Sequence, residues 1–163
     1  MAEKIKITFL GTSDAIPSIK RNHTSILLTF KDENILIDCG EGTQRQFKKA
    51  KINPLKITKL LITHWHGDHV LGIPGLLQTL AFNNYQKTLS IYGPEGTKKF
   101  IKQMLKTFVF SGKIKLKITE IKQQRVFLKT KKYLYQEKKF ITELRAMRTL
   151  LQEKAKLKLT KIN

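Results

Sequence analysis

Three histidines and one aspartate fall within six residues of this 163-residue chain. The segment His64–His69 reads HWHGDH and directly follows the apolar run Lys59–Thr63 (KLLIT). Two histidines at positions i and i+2 after a strand can converge on one ion, and the glycine before Asp68 lets the backbone turn toward a second point. Imidazole and carboxylate suit zinc, with manganese or iron as alternatives. The segment therefore predicts a metal site rather than a chance group of surface histidines.

The elements around this segment alternate between strands and helices, which favours an α/β layered fold. The helix after Gly93 is expected to start at Pro94, whose missing N–H costs nothing there, with Glu95 facing the positive end of the helix dipole. Apolar periodicity predicts strands over Lys4–Leu10, Ser25–Phe30, Ile35–Asp38, Lys59–Thr63, Leu89–Tyr92 and Lys113–Glu120, and helices over Thr43–Lys51, Gly72–Tyr85 and from Pro94 to about Phe108.

Several motifs together resemble one known family. HWHGDH matches the HxHxDH signature of the metallo-β-lactamase superfamily, which is too wide to fix a substrate. The flanking stretches narrow the match to ribonuclease Z, the tRNA 3′-processing endonuclease, over about residues 1–122. The stretches that resemble this family are FLGTSDAIPS with RNHTS, ILIDCGEGTQRQ, HVLGIPGLLQTL and IYGPEGTKKFI.

The resemblance implies a fold, two metal ions and a substrate. The fold would be the N-terminal half of a metallo-β-lactamase-like αββα sandwich. His64 and His66 would ligate the first zinc, and Asp68 and His69 the second, with Asp68 also acting as general base. A hydroxide activated by the two metals would attack a phosphodiester and release the 3′ trailer of a precursor tRNA. The family is typically homodimeric. Trp65 is expected to pack beneath the ligands rather than stack on a base.

Other residues carry weaker expectations. Asp38 either hydrogen-bonds a ligand histidine from behind or caps a turn at its strand end. Ser13 and Asp14 in the first loop either approach the substrate or serve turn chemistry, and the turn is favoured. His23 is expected to be a loop histidine rather than a ligand. Cys39 is expected to be a small packed residue rather than a nucleophile.

The charge balance makes a polyanion the first partner to consider. The chain has 32 Lys and Arg against 12 Asp and Glu, a formal charge of +20. Each phosphate that a lysine neutralises releases counterions, but a lysine-rich proteome explains the same excess. No apolar run approaches the roughly 18 residues that cross a membrane. A single cysteine and the absence of a leader-like N-terminus predict a cytoplasmic protein.

The composition changes near Gln123–Gln124. All glycines, prolines, histidines and aspartates precede this point, and residues 125–163 have 12 basic and three acidic residues. We expect residues 1–124 to form the N-terminal half of the domain and residues 125–163 to be a divergent lysine-rich tail. The tail is interpreted as out-of-frame translation, as a degenerate second half, with Arg148 near a family histidine position, or as a separate helix.

The family's metal site needs three further ligands, a histidine, an aspartate and a final histidine. This sequence has no histidine after His69 and no aspartate after Asp68. The prediction is therefore a zinc-dependent tRNA 3′ endonuclease by family, truncated and inactive alone, and prone to aggregate through an uncovered sheet face. The alternatives are a non-catalytic RNA-binding or partner-pairing pseudoenzyme, and another phosphodiesterase of the same superfamily.

Overall fold

The computed structural model of the protein describes residues 4–108 and 114–121, which lie in the first of two compact units, Met1–Ile121. These residues alternate between strands and helices, as the sequence predicts. The strands are β1 (Lys6–Gly11), β2 (Ser25–Phe30), β3 (Glu33–Ile37), β4 (Lys59–Leu61), β5 (Thr88–Gly93) and β6 (Lys115–Glu120). The helices are α1 (Thr43–Lys49), α2 (Gly67–Val70), α3 (Ile73–Phe82) and α4 (Thr97–Thr107), with one 3₁₀ turn at Pro54–Lys56.

The strands form one mixed sheet in chain order from β1 to β6. The first three pair antiparallel, and β3 through β6 pair parallel. The β2–β3 hairpin closes through Lys31 and Asp32, and Lys31 has the positive φ (52°) that tight hairpin turns require. Because this turn uses only two residues, β3 begins at Glu33 and not at the predicted Ile35.

One face of the sheet packs against the helices. The strand register aligns Leu27, Leu36, Leu60 and Ile91 across this face, and the last three are completely buried. Burying each such side chain contributes roughly 1.5–3 kcal/mol. The helices α1, α3 and α4 add Phe47, Ile73, Leu76, Leu77, Leu80 and Ile101 to the same cluster.

The opposite face of the sheet is also apolar. Leu28 and Ile35 pair there and are buried, whereas Phe9 on the same face is 47% exposed. A sheet that is apolar on both faces is typical of an inner layer in a multilayer α/β fold. The other apolar residues that alternation places on this face are Ile7, Ile26, Ile37 and Leu61.

The start of α4 differs from the prediction. The helix begins at Thr97, after Gly96 in a left-handed conformation (φ 91°), and no acidic residue lies in its first turn. The Thr97 backbone N–H and hydroxyl both donate to the Pro94 carbonyl, so Pro94 and Glu95 form a turn before the helix. The expected dipole contact of Glu95 is therefore wrong.

The predictions for residues 125–163 lie outside the described residues. Within the part of the chain that the structure describes, no helix is long and apolar enough to span a membrane.

Candidate metal centre

The predicted metal motif lies at the carboxyl edge of the parallel strands. It begins three residues after β4 ends, and Asp38 comes directly after the neighbouring strand β3. The backbone is extended at His66, and α2 begins at Gly67, so that Asp68 and His69 lie on a helical turn. The carboxyl edge of a parallel sheet commonly holds the functional site because the loops there converge.

Asp38 is the buried centre of the hydrogen-bond network. It is 1% exposed and has a positive φ of 56°, a left-handed conformation that aspartate tolerates better than most residues. The Thr63 backbone N–H donates to Asp38 Oδ1, and the Thr63 hydroxyl donates to Oδ2, each at 2.7 Å. His69 Nδ1–H also donates to Oδ2 at 2.7 Å. Asp38 therefore joins β3, the end of β4 and the metal motif.

His69 lies between two carboxylates. Its Nδ1 contacts Asp38, and its Nε2 is 3.1 Å from Asp68 Oδ2. In a neutral imidazole whose single N–H is donated to Asp38, Nε2 carries the lone pair that would bind a metal ion. A cation placed between Nε2 and Oδ2 would be bound by both atoms. Two ligands of a tetrahedral zinc ion lie about 3.3 Å apart, close to the observed separation. The buried pair, Asp68 and His69, thus fits half of a zinc site.

The outer pair, His64 and His66, lies beside the buried pair. The ring centroids of His64 and His66 are 4.6 Å apart, and His64 and His69 are 4.0 Å apart. His64 Nδ1 is 3.0 Å from the Thr63 hydroxyl. Because that hydroxyl already donates to Asp38, His64 Nδ1 is the donor here and its Nε2 carries the lone pair that a metal requires.

The four predicted ligands are close together but do not form a closed site. Among residues 4–108 and 114–121, no group of three or more His, Cys, Asp or Glu side chains is arranged to hold a metal ion. The structure brings the ligands together as two neighbouring pairs. Each pair has the donor chemistry of a zinc site and needs further ligands to complete the usual four.

Close backbone packing fixes the motif against the strand ends. The Cys39 N–H donates to the His69 carbonyl at 2.7 Å, and the Gly72 N–H donates to the Cys39 carbonyl at 2.9 Å. A Cβ on Gly40 would lie 2.4 Å from the Asp68 carbonyl oxygen. Glycine is therefore required at position 40 for the Asp38–Gly40 segment to approach the motif this closely.

Trp65 points away from the two histidines that flank it. Its indole N–H donates to the Thr97 hydroxyl at 2.9 Å, and its ring lies 4.9 Å from that of Phe100. It also packs against the main core. Trp65 therefore packs toward the core, and its contact with Thr97 ties the motif to the first turns of α4.

The first-loop candidates make turn contacts. The Ser13 hydroxyl donates to the Ile16 carbonyl at 2.8 Å, and Asp14 Oδ1 accepts the Ile16 N–H at 3.2 Å. Asp14 is exposed. These hydrogen bonds are typical of turns, which is the interpretation favoured for both residues.

Two further side chains lie beneath the site. Cys39 is fully buried, and burial raises the pKa of its thiol to about 12, so the expectation of a packed, unreactive cysteine is confirmed. His23 is 8% exposed and packs against Gly40, and its Nε2 lies 3.4 Å from the Ala15 carbonyl oxygen. Its Nδ1 is 3.9 Å from Glu41 Oε2 and has no hydrogen-bond partner among the described residues. The prediction placed His23 on a loop but did not anticipate its burial.

Thr63 and Thr97 were not among the predicted site residues. Thr63 contacts both Asp38 and His64, and Thr97 contacts Trp65. Thr63 stands immediately before the first histidine of the motif, and this position was the sequence feature that could have marked it as a site residue. Thr97 lies 32 residues from Trp65, and only the parallel pairing of β4 with β5 brings the two together.

The comparisons with known proteins agree with this architecture. A family model described as anti-Pycsar protein Apyc1 matches residues 5–141. A ribonuclease Z from Methanothermobacter thermautotrophicus is 47% identical over 118 residues, which cover 72% of this chain and 38% of that protein. The chain thus spans about two fifths of the length of such curated relatives.

Two solved structures share the fold. Human tRNase Z, short form, is 38% identical with a TM-score of 0.66, over 73% of this chain and 45% of that one. The metallo-β-lactamase fold protein YhfI from Bacillus subtilis is 21% identical with a TM-score of 0.56, over 72% of this chain and 45% of that one. The described residues therefore share the fold of slightly less than half of these metallo-β-lactamase-fold proteins, in agreement with the predicted half of such a domain.

Proposed function

We propose that this chain, which belongs to the family whose model is described as anti-Pycsar protein Apyc1, supplies the first metal-binding half of a zinc-dependent tRNA 3′ endonuclease. Its curated relatives are ribonuclease Z proteins. The substrate class would be precursor tRNA with a 3′ trailer. The observation that carries the proposal is the contact of His69 with two carboxylates, Asp38 and Asp68, at the sheet edge.

Each half of the motif has its own role in this proposal. His64 and His66 would hold one zinc ion, and Asp68 and His69 the other. Zinc at such a site lowers the pKa of a water molecule toward neutrality and offsets negative charge on a phosphodiester. Asp38 accepts a hydrogen bond from His69 Nδ1, which would leave Nε2 to bind the metal. The Asp68 carboxylate would accept the proton of the attacking water.

These 163 residues cannot complete two zinc sites by themselves. They contain no histidine after His69 and no aspartate after Asp68, and three ligands of those types would have to come from outside them. We therefore propose that the chain alone binds zinc weakly and does not cleave precursor tRNA. Cleavage would be restored if a second half of the same fold supplied the missing histidine, aspartate and final histidine.

A chimera tests this proposal. Residues 1–121 would be fused to the part of the Methanothermobacter thermautotrophicus ribonuclease Z that follows its matched region. The chimera should cleave a 3′-extended precursor tRNA in a zinc-dependent manner, and Asp68→Asn should abolish cleavage. Asp14→Asn, an exposed turn carboxylate, is the matched control and should retain it. A folded chimera without cleavage would contradict the proposal.

A second candidate is another phosphodiesterase of the superfamily. The observation that favours it is the name of the matching family model, which is not a ribonuclease Z. The same chimera distinguishes the two if it is also assayed with a simple aromatic phosphodiester. Cleavage of that ester without cleavage of the tRNA would favour the second candidate.

A further inference from the structure

The exposed side of α4 carries a row of lysines that the metal motif does not use. Lys98, Lys102 and Lys106 are all exposed and follow one another at intervals of four residues. Residues four apart lie on the same side of a helix, so these lysines form a line about 12 Å long. We call these three residues the basic stripe.

The basic stripe lacks acidic partners. The sequence of α4, TKKFIKQMLKT, contains no aspartate or glutamate. Within the described ranges, none of the three lysines forms an ion pair with a carboxylate. Glu120 lies near the start of the helix, but its Oε1 accepts the Lys98 backbone N–H. By contrast, Lys59 on the sheet is paired with Glu33 at 2.6 Å. The stripe therefore presents a local excess of positive charge.

The stripe is held in a fixed position relative to the metal motif. Thr97, which begins α4, accepts the indole N–H of Trp65, and Phe100 in the next turn contacts the Trp65 ring. Ile101, on the same helix, is completely buried and anchors α4 in the core. A polyanion on the stripe would therefore be held at a constant position from His64 and His66.

We propose that the basic stripe binds the phosphate backbone of the RNA substrate and aligns it with the metal motif. This inference rests on the proposed function, because RNA is favoured over other polyanions by the ribonuclease Z relatives. Lysines act here as point charges that recognise phosphate without reading the base sequence.

The test is the salt dependence of RNA binding by the full chain. Fluorescence anisotropy with a labelled oligouridylate, in the presence of a chelator, separates binding from metal chemistry. In K98Q/K102Q/K106Q the slope of log affinity against log salt concentration should fall by about 2 to 3, since each lost phosphate contact lowers it by about 0.7 to 1. The matched control, K48Q/K49Q/K51Q, removes three exposed lysines at and just after α1 and should change the slope by less than half as much.

A charge-preserving variant keeps the proposal falsifiable. K98R/K102R/K106R should retain the slope of the native chain, which excludes a purely structural effect of the substitutions. The proposal would be overturned if the slope fell equally in both glutamine variants, or if it did not fall in K98Q/K102Q/K106Q. The chelator removes zinc, so an unchanged salt slope in the stripe variant would not bear on the proposed metal chemistry. Conversely, a chimera that fails to cleave tRNA would not bear on RNA binding by the basic stripe.

Discussion

The two halves of the metal motif are held in different ways. In the buried pair, His69 is 5% exposed and is fixed by a carboxylate that itself receives two further hydrogen bonds. In the outer pair, His66 is exposed and His64 is partly exposed, with His64 in contact with the Thr63 hydroxyl. The fold therefore builds the buried pair in advance through a buried carboxylate, whereas the outer pair lies closer to solvent. Three substitutions test this difference, and a fourth serves as a reference.

Asp38→Ala should have the largest effect. Removing the carboxylate leaves the buried His69 Nδ1–H without its acceptor and also removes two hydrogen bonds from the exposed Thr63. The unpaired buried donor costs about 1–3 kcal/mol of the free energy of unfolding, and each lost Thr63 hydrogen bond adds about 0.5–1.5 kcal/mol. Chemical denaturation measures this loss, and Asp14→Ala in the exposed turn is the control that should change stability little. A loss below about 1 kcal/mol would show that the buried pair is not built in advance.

Gly40→Ala should disturb the buried pair through the backbone. The new methyl group would lie 2.4 Å from the Asp68 carbonyl oxygen and 2.4 Å from the His23 Cβ. Because both neighbours are packed, we expect a loss of about 1–3 kcal/mol in stability and weaker zinc binding. Thermal unfolding and zinc titration measure the two effects. Gly67→Ala is a milder comparison, since its new methyl group would meet only the Leu71 side chain, at 3.0 Å. Equal losses in both variants would contradict the specific contact.

Trp65→Phe should disturb the outer pair with a smaller loss in the free energy of unfolding. The change keeps an aromatic ring but removes the hydrogen bond to Thr97, worth about 1 kcal/mol. Thr97→Val should cost more, because it also removes the hydrogen bond from the Thr97 hydroxyl to the Pro94 carbonyl. The double variant should lose little more than Thr97→Val alone, because both changes remove the bond between Trp65 and Thr97. Tyr85→Phe, which removes the hydrogen bond to the Ile57 carbonyl, should cost a similar free energy without changing zinc affinity. Strictly additive losses for Trp65 and Thr97 would contradict the coupling.

Glu33→Gln should have the smallest effect and serves as a reference away from the motif. Although partial burial acts to raise it, hydrogen bonds from Lys59 and Thr58 lower the pKa of Glu33 below its ordinary value. A carboxyl with a lowered folded-state pKa stabilises the protein above its unfolded pKa, and the contribution disappears as the pH falls through the folded value. Since the pair is partly exposed, we expect a loss below about 0.5 kcal/mol at neutral pH that vanishes in acid. Denaturation at several pH values measures it, and a loss that grows on acidification would contradict the assignment.

The sequence predicted the elements better than it predicted their contacts. β2 has the predicted bounds because its apolar run stands between clear turn residues, and the helix through Leu76 and Leu80 was expected from its periodicity. Alternation along one strand cannot show which distant strand it pairs with. The link from Trp65 to Thr97 could therefore not be predicted, because it depends on the register of β4 with β5.

The candidate site was predicted in part. The spacing of the motif brought together all four predicted ligands, and the strand-end position of Asp38 made its contact with His69 one of two expected outcomes. The network through Thr63 could not be expected from its residue type, since threonine hydroxyls serve many turns equally well. The start of α4 was predicted at Pro94, but the left-handed Gly96 delays it to Thr97.

Zinc stoichiometry of the full chain by native mass spectrometry tests the central claim most directly. The chain, Asp68→Asn and Asp14→Asn would each be titrated with zinc and assayed for cleavage of a 3′-extended precursor tRNA. We predict weak, saturable zinc binding that Asp68→Asn reduces and Asp14→Asn preserves, with no cleavage by any of the three. Two tightly bound zinc ions per chain together with tRNA cleavage would contradict the claim that these residues supply only the first half of the metal site.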